Sequence, residues 1–324
     1  MNKLLLLPVF IIAAFTSSFI LSNRDNAVLA PSSIPTTQTP PPDKEIKMIF
    51  VGDMMLSRSV GALMAKTNEY TYPFTAIGEY FKSADLTFGN LENPVSSRGV
   101  RVGSIFSFRA DPKTIEGLTF AGFDVVSIAN NHMWDYGREA FIDTMAHLTE
   151  AGINFVGGGH NNEEAHRPVI KYINGTKIAF LAYTEFLQNA ISGIDSAGIT
   201  KWDIEQMKKD IAEAQQSNDI VVVSLHWGEE YKTQHNQKQE NMAKAAIDAG
   251  ADLIIGHHPH VRQEVEQYKN GWIAYSLGNF VFDQNFSAET VRGLVLEVTL
   301  SDRKIKSVDT KQIIIKDYRP ELIL

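Results

Sequence analysis

The stretch ADLIIGHHPH at residues 251–260 decides the fold prediction, because it joins an apolar run to a loop that holds three histidines. The run Ala251–Ile255 has the length and the residue types of a buried strand, and Gly256 begins the turn after it. Ligands of open α/β sheets bind outside the carboxyl ends of the strands. The pair His258 and His260 can therefore place two imidazoles on one divalent metal ion, or on two neighbouring ions.

Other short apolar runs end in polar residues in the same way. The residues at or just after such ends are Asp53, Asn90, Asn131 and His226. Amphipathic patterns at 138–150, 202–216 and 237–249 lie between the runs and predict helices. This alternation predicts an α/β domain with the polar side chains gathered on one rim. The later runs 272–276, 293–300 and 304–315 follow one another without helices and predict antiparallel strands.

Composition limits the chemistry that the chain can perform. The 324 residues carry a formal net charge of −8, which argues against a general nucleic-acid binder. There is no cysteine, so disulfides, thiolate metal sites and a cysteine nucleophile are excluded. A metal in this protein must be held by histidine, asparagine and carboxylates, which suits manganese, zinc or iron.

The N-terminal part differs from the rest of the chain. Residues 1–30 contain the uncharged run Leu4–Leu21 and predict a signal anchor or a cleaved signal peptide. Residues 31–44, PSSIPTTQTPPPDK, predict an extended Pro/Ser/Thr-rich linker before a folded body at 45–324. Lys3 and the amino terminus place that body outside the cytoplasm, as a single-pass membrane protein or a secreted one.

The polar strand ends supply the expected metal ligands. A carboxylate at Asp53 is a natural hard ligand, Glu92 can bridge two cations, and the Asn131 amide oxygen can ligate. The alternatives are an ordinary Gly-Asp turn at Asp53 and a hydrogen-bonded core histidine at His226. The expected ligand set is Asp53, Glu92, Asn131, His226, His258 and His260.

His132 is the expected catalytic residue, because a histidine beside the metal that is not a ligand can protonate a leaving group. Asp135 is expected to orient its ring. The alternative is an Asn-rich turn that caps the following helix. Asn90, Arg109 and His257 are expected substrate contacts, although the sequence leaves open which of His257 and His258 ligates. Glu230 is expected to be solvated.

The order of these motifs resembles the bacterial capsule synthesis protein CapA family, the poly-γ-glutamate capsule proteins related to calcineurin-like metallophosphoesterases. The resemblance covers roughly Ile46 to Arg292. It is carried by Gly52-Asp53, Gly89-Asn90-Leu91-Glu92, Asn130-Asn131-His132, His226-Trp227-Gly228, His257-His258-Pro259-His260 and Tyr275-Ser276-Leu277-Gly278-Asn279-Phe280.

The resemblance implies a four-layer α/β/β/α sandwich with a two-metal centre at the strand ends. It places His132 on the proton-donor position. Two departures from the parent phosphoesterases stand out. Met55 occupies the place of a histidine, and Asn90 that of an aspartate. The number of ions per chain, one or two, and their identity as manganese, zinc or iron are therefore left open by the resemblance.

The resemblance also implies a part in making or exporting poly-γ-glutamate at the membrane, in a capsule synthesis complex. Three functions compete at this point. The first is a metal-dependent phosphoesterase-like hydrolase of an anionic substrate. The second is a non-catalytic, metal-dependent polymer-binding factor. The third is a cell-wall or polyglutamate amide hydrolase.

Overall fold

The computed structural model describes residues 44–102, 105–186 and 190–323. The expected signal segment at 1–30 lies outside these ranges, and so does all of the expected linker except Lys44. Within the described ranges, no helix has the length and apolar character needed to cross a membrane.

Strands and helices alternate along most of the described chain. The strands are β1 Ile46–Met54, β2 Leu86–Leu91, β3 Val125–Ser127, β4 Asn154–Val156, β5 Gly158–Gly159, β6 Val169–Ile173, β7 Thr176–Thr184, β8 Gly198–Ile199, β9 Ile220–His226, β10 Leu253–His257, β11 Val265–Tyr268, β12 Gly271–Ala274, β13 Asn279–Val281, β14 Arg292–Ser301, β15 Lys304–Lys316 and β16 Arg319–Leu322. The helices are α1 Arg58–Thr67, α2 Gly78–Phe81, α3 Ile115–Ala121, α4 Gly137–Glu150, α5 Asn162–His166, α6 Ile204–Gln215 and α7 Gln237–Asp248, with short 3₁₀ turns at Tyr72–Phe74 and Pro112–Thr114.

The larger sheet has the order β16-β15-β14-β1-β2-β3-β4, and β13 also pairs with β1. Strands β1 to β4 are parallel to one another, so their carboxyl ends meet at one edge. In this register Asp53 lies opposite Asn90. Strands β14 to β16 extend the sheet in antiparallel fashion.

The second sheet has the order β11-β12-β10-β9-β7-β6. Its central strands β7, β9, β10 and β12 are parallel. His226 lies opposite His257 in the β9–β10 register. The carboxyl ends of these strands therefore form a second edge that carries histidines.

The two sheets stack on each other through an apolar core. Phe88 of β2 and Phe180 of β7 lie with ring centroids 5.7 Å apart and nearly parallel planes. Helices α1 to α4 cover the outer face of the larger sheet, while α6 and α7 cover the outer face of the second. This arrangement is the four-layer α/β/β/α sandwich that the resemblance implies.

Two details of the fold differ from the sequence prediction. The run at 272–276 forms β12, which pairs antiparallel with β11 but parallel with β10, so the purely antiparallel prediction was wrong there. The tail after Asp317 carries no apolar pattern, yet it forms β16 beside β15. An edge strand of this kind is held by backbone pairing, which side-chain periodicity does not reveal.

Candidate metal centre

The candidate site lies where the parallel strand ends of the two sheets come together. Strands β1 and β2 deliver Asp53 and Asn90, and β9 and β10 deliver His226 and His257. The sequence prediction of one rim needs correction, because the residues come from the edges of two stacked sheets. Sheet stacking brings the carboxylates of one edge within reach of the imidazoles of the other.

Asp53 is fully buried at the centre of this cluster. Its Oδ1 accepts a hydrogen bond of 2.8 Å from Asn90 Nδ2, and its Oδ2 one of 3.1 Å from the His258 backbone N–H. His257 Nδ1 and His260 Nδ1 lie 3.4 and 3.5 Å from its oxygens. Burial raises the pKa of Asp53, but His257 and His260 outweigh it and hold that pKa well below the ordinary value. Asp53 is therefore an ionised carboxylate.

Glu92 is also fully buried, two residues beyond Asn90. Asn90 Nδ2 lies 3.3 Å from its Oε2, while Oε1 has no hydrogen-bond partner among the described residues. That oxygen lies 3.6 Å from His260 Nε2 and 3.9 Å from His132 Nε2. Burial, and then the charge of Asp53, raise the pKa of Glu92 well above its ordinary value. A nearby cation would relieve both effects.

The imidazoles around these carboxylates are poor in hydrogen-bond partners. Both ring nitrogens of His257 and the Nδ1 of His258 are buried without a partner among the described residues. Burial, and then His260, lower the pKa of His258 to about 3. Burial, and then His258, hold the pKa of His226 well below its ordinary value. A neutral imidazole is the form that binds metals.

Among the described residues, two groups of donor atoms are compact enough for a metal ion. In one, the donor atoms of Asp53, Glu92 and His260 lie within 4.8 Å of one another. In the other, Glu230, His258 and His260 satisfy the same distance. Buried polar atoms normally have partners, so the unpartnered atoms at Glu92, His257 and His258 fit a divalent cation. The two groups share His260, and its neutral ring offers a single lone pair, so His260 can ligate an ion in only one of the two groups.

The loop after β10 is held in an unusual backbone conformation. His258 and His260 have φ angles of +96° and +58°, a region that side-chain-bearing residues seldom adopt. His260 Nδ1 lies 3.0 Å from Asn279 Oδ1, which fixes the ring beside Asp53. Such strain is kept where the surrounding structure enforces it, commonly at functional sites.

His132 lies beside the centre and is oriented from behind. Its Nδ1 is 2.8 Å from Asp135 Oδ2, which also accepts a 2.7 Å hydrogen bond from the Phe108 backbone N–H. The Phe108 ring stacks on the imidazole with centroids 3.9 Å apart. Since a carboxylate only accepts, we assign the proton to Nδ1, which leaves Nε2 on the side of Glu92.

Two asparagines connect the loops of the first sheet to the histidines. Asn131 Oδ1 lies 2.8 Å from His226 Nε2. Asn130 donates through Nδ2 to Asn90 Oδ1 at 3.1 Å and accepts from the His132 backbone N–H at 3.2 Å. Asn130 was overlooked as a site residue, although its position in the quoted Asn-Asn-His motif could have signalled it.

A cavity of about 430 Å³ opens over the centre. Its walls bring together the expected proton donor, expected ligands and several aromatic rings. The lining residues are Arg58, Phe106, Phe108, Asn131, His132, Glu230, Tyr231, His260, Asp283, Gln284 and Phe286. The expected catalytic residue and the donor cluster therefore share one solvent-connected space.

Most of the predicted site residues converge, but Arg109 does not. Its Nη1 donates to the backbone oxygens of Arg98 and Gly99, and its guanidinium lies 4.2 Å from the Tyr136 ring centroid. It is not among the residues that line the cavity. The geometry thus disfavours the expected substrate contact at Arg109, because its Nη1 already has acceptors and the residue lies outside the cavity lining.

Two other predictions change in detail. His257 was an expected substrate contact, yet it is buried against Asp53, a position that favours a ligand. Glu230 was expected to be solvated. It is exposed, but its carboxylate lies within the second donor group, because the Tyr231 backbone N–H donates to Pro259 O at 2.8 Å and ties the two loops together. That tie is long-range, so no local pattern could have signalled it.

The stacked sheets form an α/β/β/α sandwich with the donor set at their shared edge. Two solved structures are similar in fold. A hypothetical protein from Thermus thermophilus has a TM-score of 0.53 at 15% identity, covering 82% of this chain and 98% of that one. The NAD nucleotidase of Haemophilus influenzae has a TM-score of 0.51 at 13% identity, covering 87% and 54%. At these identities the likeness concerns the fold alone.

The sequence comparisons identify the family. A profile of the bacterial capsule synthesis protein PGA_cap matches residues 47–284. The capsule biosynthesis protein CapA of Bacillus anthracis is 35% identical over 290 residues, which cover 86% of this chain and 70% of that protein. The PGA biosynthesis protein CapA of Bacillus subtilis (strain 168) is 34% identical over 257 residues, covering 78% and 67%. The chain belongs to the bacterial capsule synthesis protein PGA_cap family, which confirms the resemblance drawn from the motifs.

Proposed function

We propose that this protein acts in poly-γ-glutamate capsule synthesis as a metal-dependent hydrolase of an anionic substrate. One observation carries the proposal: the buried, unpartnered Oε1 of Glu92 lies 3.6 Å from His260 Nε2 and 3.9 Å from His132 Nε2, and both histidines line the cavity. The names of the Bacillus relatives supply the biological setting. They speak of capsule and PGA biosynthesis.

The residues that would hold one or two manganese, zinc or iron ions are those of the two donor groups and their neighbours. They are Asp53, Glu92, Glu230, His258 and His260, with Asn131, His226 and His257 beside them. A bound divalent cation supplies Lewis-acid chemistry and a water that is nucleophilic near neutral pH.

His132 is the group that would move a proton. Asp135 holds its Nδ1, so the ring can be protonated and donate from Nε2 to a leaving group in the cavity. Stacking on Phe108 keeps the ring in that orientation. The proton donor is thus positioned by contacts that do not involve the donor cluster.

The proposal includes a location and partners. The uncharged run in 1–30 would anchor or export the chain, and the linker at 31–44 would hold the body away from the membrane, outside the cytoplasm. A capsule synthesis complex at the membrane would then bring the polymer to the cavity. Cell fractionation with protease accessibility tests this placement.

A non-catalytic, metal-dependent polymer-binding factor is the second candidate, and Met55 favours it. Met55 is buried, and its sulfur accepts hydrogen bonds from the Ser57 side chain at 3.0 Å and backbone N–H at 3.2 Å. No nitrogen ligand is therefore available where the parent enzymes have a histidine. A site with fewer ligands binds metal more weakly, which lowers turnover.

An amide hydrolase, the third candidate, would use the same residues to cleave an amide bond.

The deciding experiment compares wild-type protein with His132→Ala in hydrolysis of a generic phosphodiester and of γ-glutamyl oligomers, with manganese or zinc present. The substitution should lower turnover at least about 100-fold and leave the metal content unchanged. His166→Ala is the matched control, since His166 also pairs with an aspartate, Asp210, but lies away from the cavity. Equal turnover in wild-type protein and His132→Ala would remove the proposed mechanism. Metal-dependent polymer binding without any turnover would support the second candidate.

A further inference from the structure

The wall of the cavity holds an arginine–aspartate pair in which some of the hydrogen-bonding atoms have no partner among the described residues. Arg58 Nε lies 3.2 Å from Asp283 Oδ2, which also accepts a 3.3 Å hydrogen bond from the Ser59 backbone N–H. The terminal nitrogens of Arg58 make no hydrogen bond to the described residues, and its side chain is 40% exposed. Asp283 is only 2% exposed, and its Oδ1 is buried without a partner among the described residues. Both residues line the cavity.

The backbone at this wall is also strained. Of the eleven described non-glycine residues with positive φ, three line the cavity. They are Arg58, which is the first residue of α1, Tyr231 and His260. Strain that gathers at one cavity indicates that these side chains are held for a function.

The pair also lies close to the proposed proton donor. The guanidinium of Arg58 lies 5.4 Å from the centroid of Phe108, whose ring stacks on His132. A ligand group held by Arg58 would therefore be a neighbour of the reacting centre.

The unused atoms define the chemistry of that ligand. Arginine nitrogens only donate and the buried Asp283 oxygen only accepts, so a ligand must present an oxyanion beside an N–H or O–H donor. A phosphodiester offers oxyanions alone, and it would leave Asp283 Oδ1 unpaired beside a second negative charge. An N-acylated α-amino acid carries a carboxylate and an amide N–H on one carbon. Every internal unit of a γ-linked glutamate chain has this arrangement.

We propose that Arg58 and Asp283 form a subsite for a γ-glutamyl unit, with Arg58 donating to its α-carboxylate and Asp283 Oδ1 accepting from its amide N–H. This inference rests on the proposed role in poly-γ-glutamate synthesis. It does not depend on which bond is cleaved, or on whether any bond is cleaved. It assigns the substrate's anionic contact to Arg58, whereas the sequence analysis favoured Arg109.

The test is calorimetric binding to the full-length protein with manganese present, in a His132→Ala background that prevents turnover. The probes are a γ-linked glutamate pentamer, the same pentamer with α-carboxamides, an N-methylated pentamer and inorganic phosphate. Arg58→Gln should weaken binding of the plain pentamer about 30-fold, as expected for a lost partner of a hydrogen-bonded charge. It should not weaken the carboxamide pentamer further. Asp283→Asn should weaken the plain pentamer but leave the N-methylated one unchanged.

Arg98 and Asp143 provide the matched control, because they form an Arg–Asp ion pair in which Arg98 also bonds Asp143 through Nε at 3.0 Å, and neither lines the cavity. Arg98→Gln should leave all affinities unchanged. If Arg58→Gln does not fold, Arg58→Lys keeps the charge without the fork and should lose about 10-fold.

Three results would overturn the inference: no binding of the plain pentamer, equal weakening of pentamer and phosphate by Arg58→Gln, or equal weakening of the plain and N-methylated pentamers by Asp283→Asn. Phosphodiester hydrolysis combined with any of these results would leave the proposed function standing. The expected binding pattern without turnover of any substrate would support the γ-glutamyl subsite and contradict the proposed hydrolase activity.

Discussion

The histidine–aspartate cluster around Asp210 and the one around Asp53 differ in how completely their polar atoms are satisfied. On the outer face of the second sheet, Asp210 accepts from His166 at 2.7 Å, from Tyr183 at 2.8 Å and from Gln206 at 2.6 Å. Both of its oxygens are used, and no atom of that cluster is buried without a partner in the described part of the chain.

The centre between the sheets has similar residue types but leaves donors unpaired. Oε1 of Glu92, both ring nitrogens of His257 and Nδ1 of His258 are buried without partners among the residues that the structure describes. A satisfied network stabilises a fold, whereas unsatisfied buried donors point to a ligand. The difference separates a structural histidine–aspartate pair from a candidate metal site, although the two use the same side chains.

The largest effect is expected at Asp53, which contacts the histidines of β10 and of the loop after it. Asp53→Ala should weaken manganese or zinc binding more than about 100-fold, because the change removes a proposed ligand and also the acceptor that orders the His258 backbone. Titration of the metal-free protein measures the affinity. Asp210→Ala is the control and should bind metal as the wild type does. Equal affinities for both variants would erase the distinction between the clusters.

A smaller effect is expected in the pH dependence of metal affinity. Because burial and the charge of Asp53 raise the pKa of Glu92, the metal-free protein keeps this carboxyl protonated above the range of an ordinary glutamate. A cation must displace that proton. Metal affinity should therefore fall as the pH drops through the raised pKa, by up to about tenfold per pH unit. The lowered pKa values of His226 and His258 mean that they release no proton near neutrality.

Calorimetry in buffers of different ionisation enthalpy detects the released proton. Glu92→Gln serves as the control, since it has no proton to release and should flatten the pH dependence. An affinity that does not change with pH in the wild type would show that Glu92 is not displaced from a protonated state.

The smallest effect on function is expected at the satisfied cluster. Asp210→Asn should lower the free energy of unfolding by about 1 to 3 kcal/mol, because the buried Tyr183 hydroxyl and the His166 ring lose a charged acceptor. Metal content and hydrolysis should not change. Denaturant titration gives the stability, and loss of metal from this variant would contradict a purely structural role.

Much of the centre could be predicted because each donor lies within a few residues of a strand end. Asp53 and His226 belong to strands with clear apolar runs, and the rule for parallel strand ends then groups them. Apolar runs and the polar residues at their ends can be recognised in the sequence without knowledge of how the layers pack. The loop residue His132 was predicted in the same way.

The rest depends on contacts between distant segments. The sequence favoured Arg109 over Arg58 as the substrate contact, but Arg109 stacks on Tyr136, while Arg58 lies beside Asp283 and lines the cavity. Glu230 comes near the histidine loop through a backbone tie between loops. Neither arrangement leaves a periodic pattern, so the sequence could not reveal the place of Arg58 in the cavity wall or of Glu230 at the centre.

Anomalous X-ray diffraction from crystals of the body soaked in manganese would show whether the donor cluster between the sheets binds a metal ion. We expect an anomalous peak within bonding distance of Asp53, Glu92 and His260, with none beside His166 and Asp210. No peak between the two sheet edges at saturating manganese, or a peak only at the Asp210 cluster, would contradict this expectation.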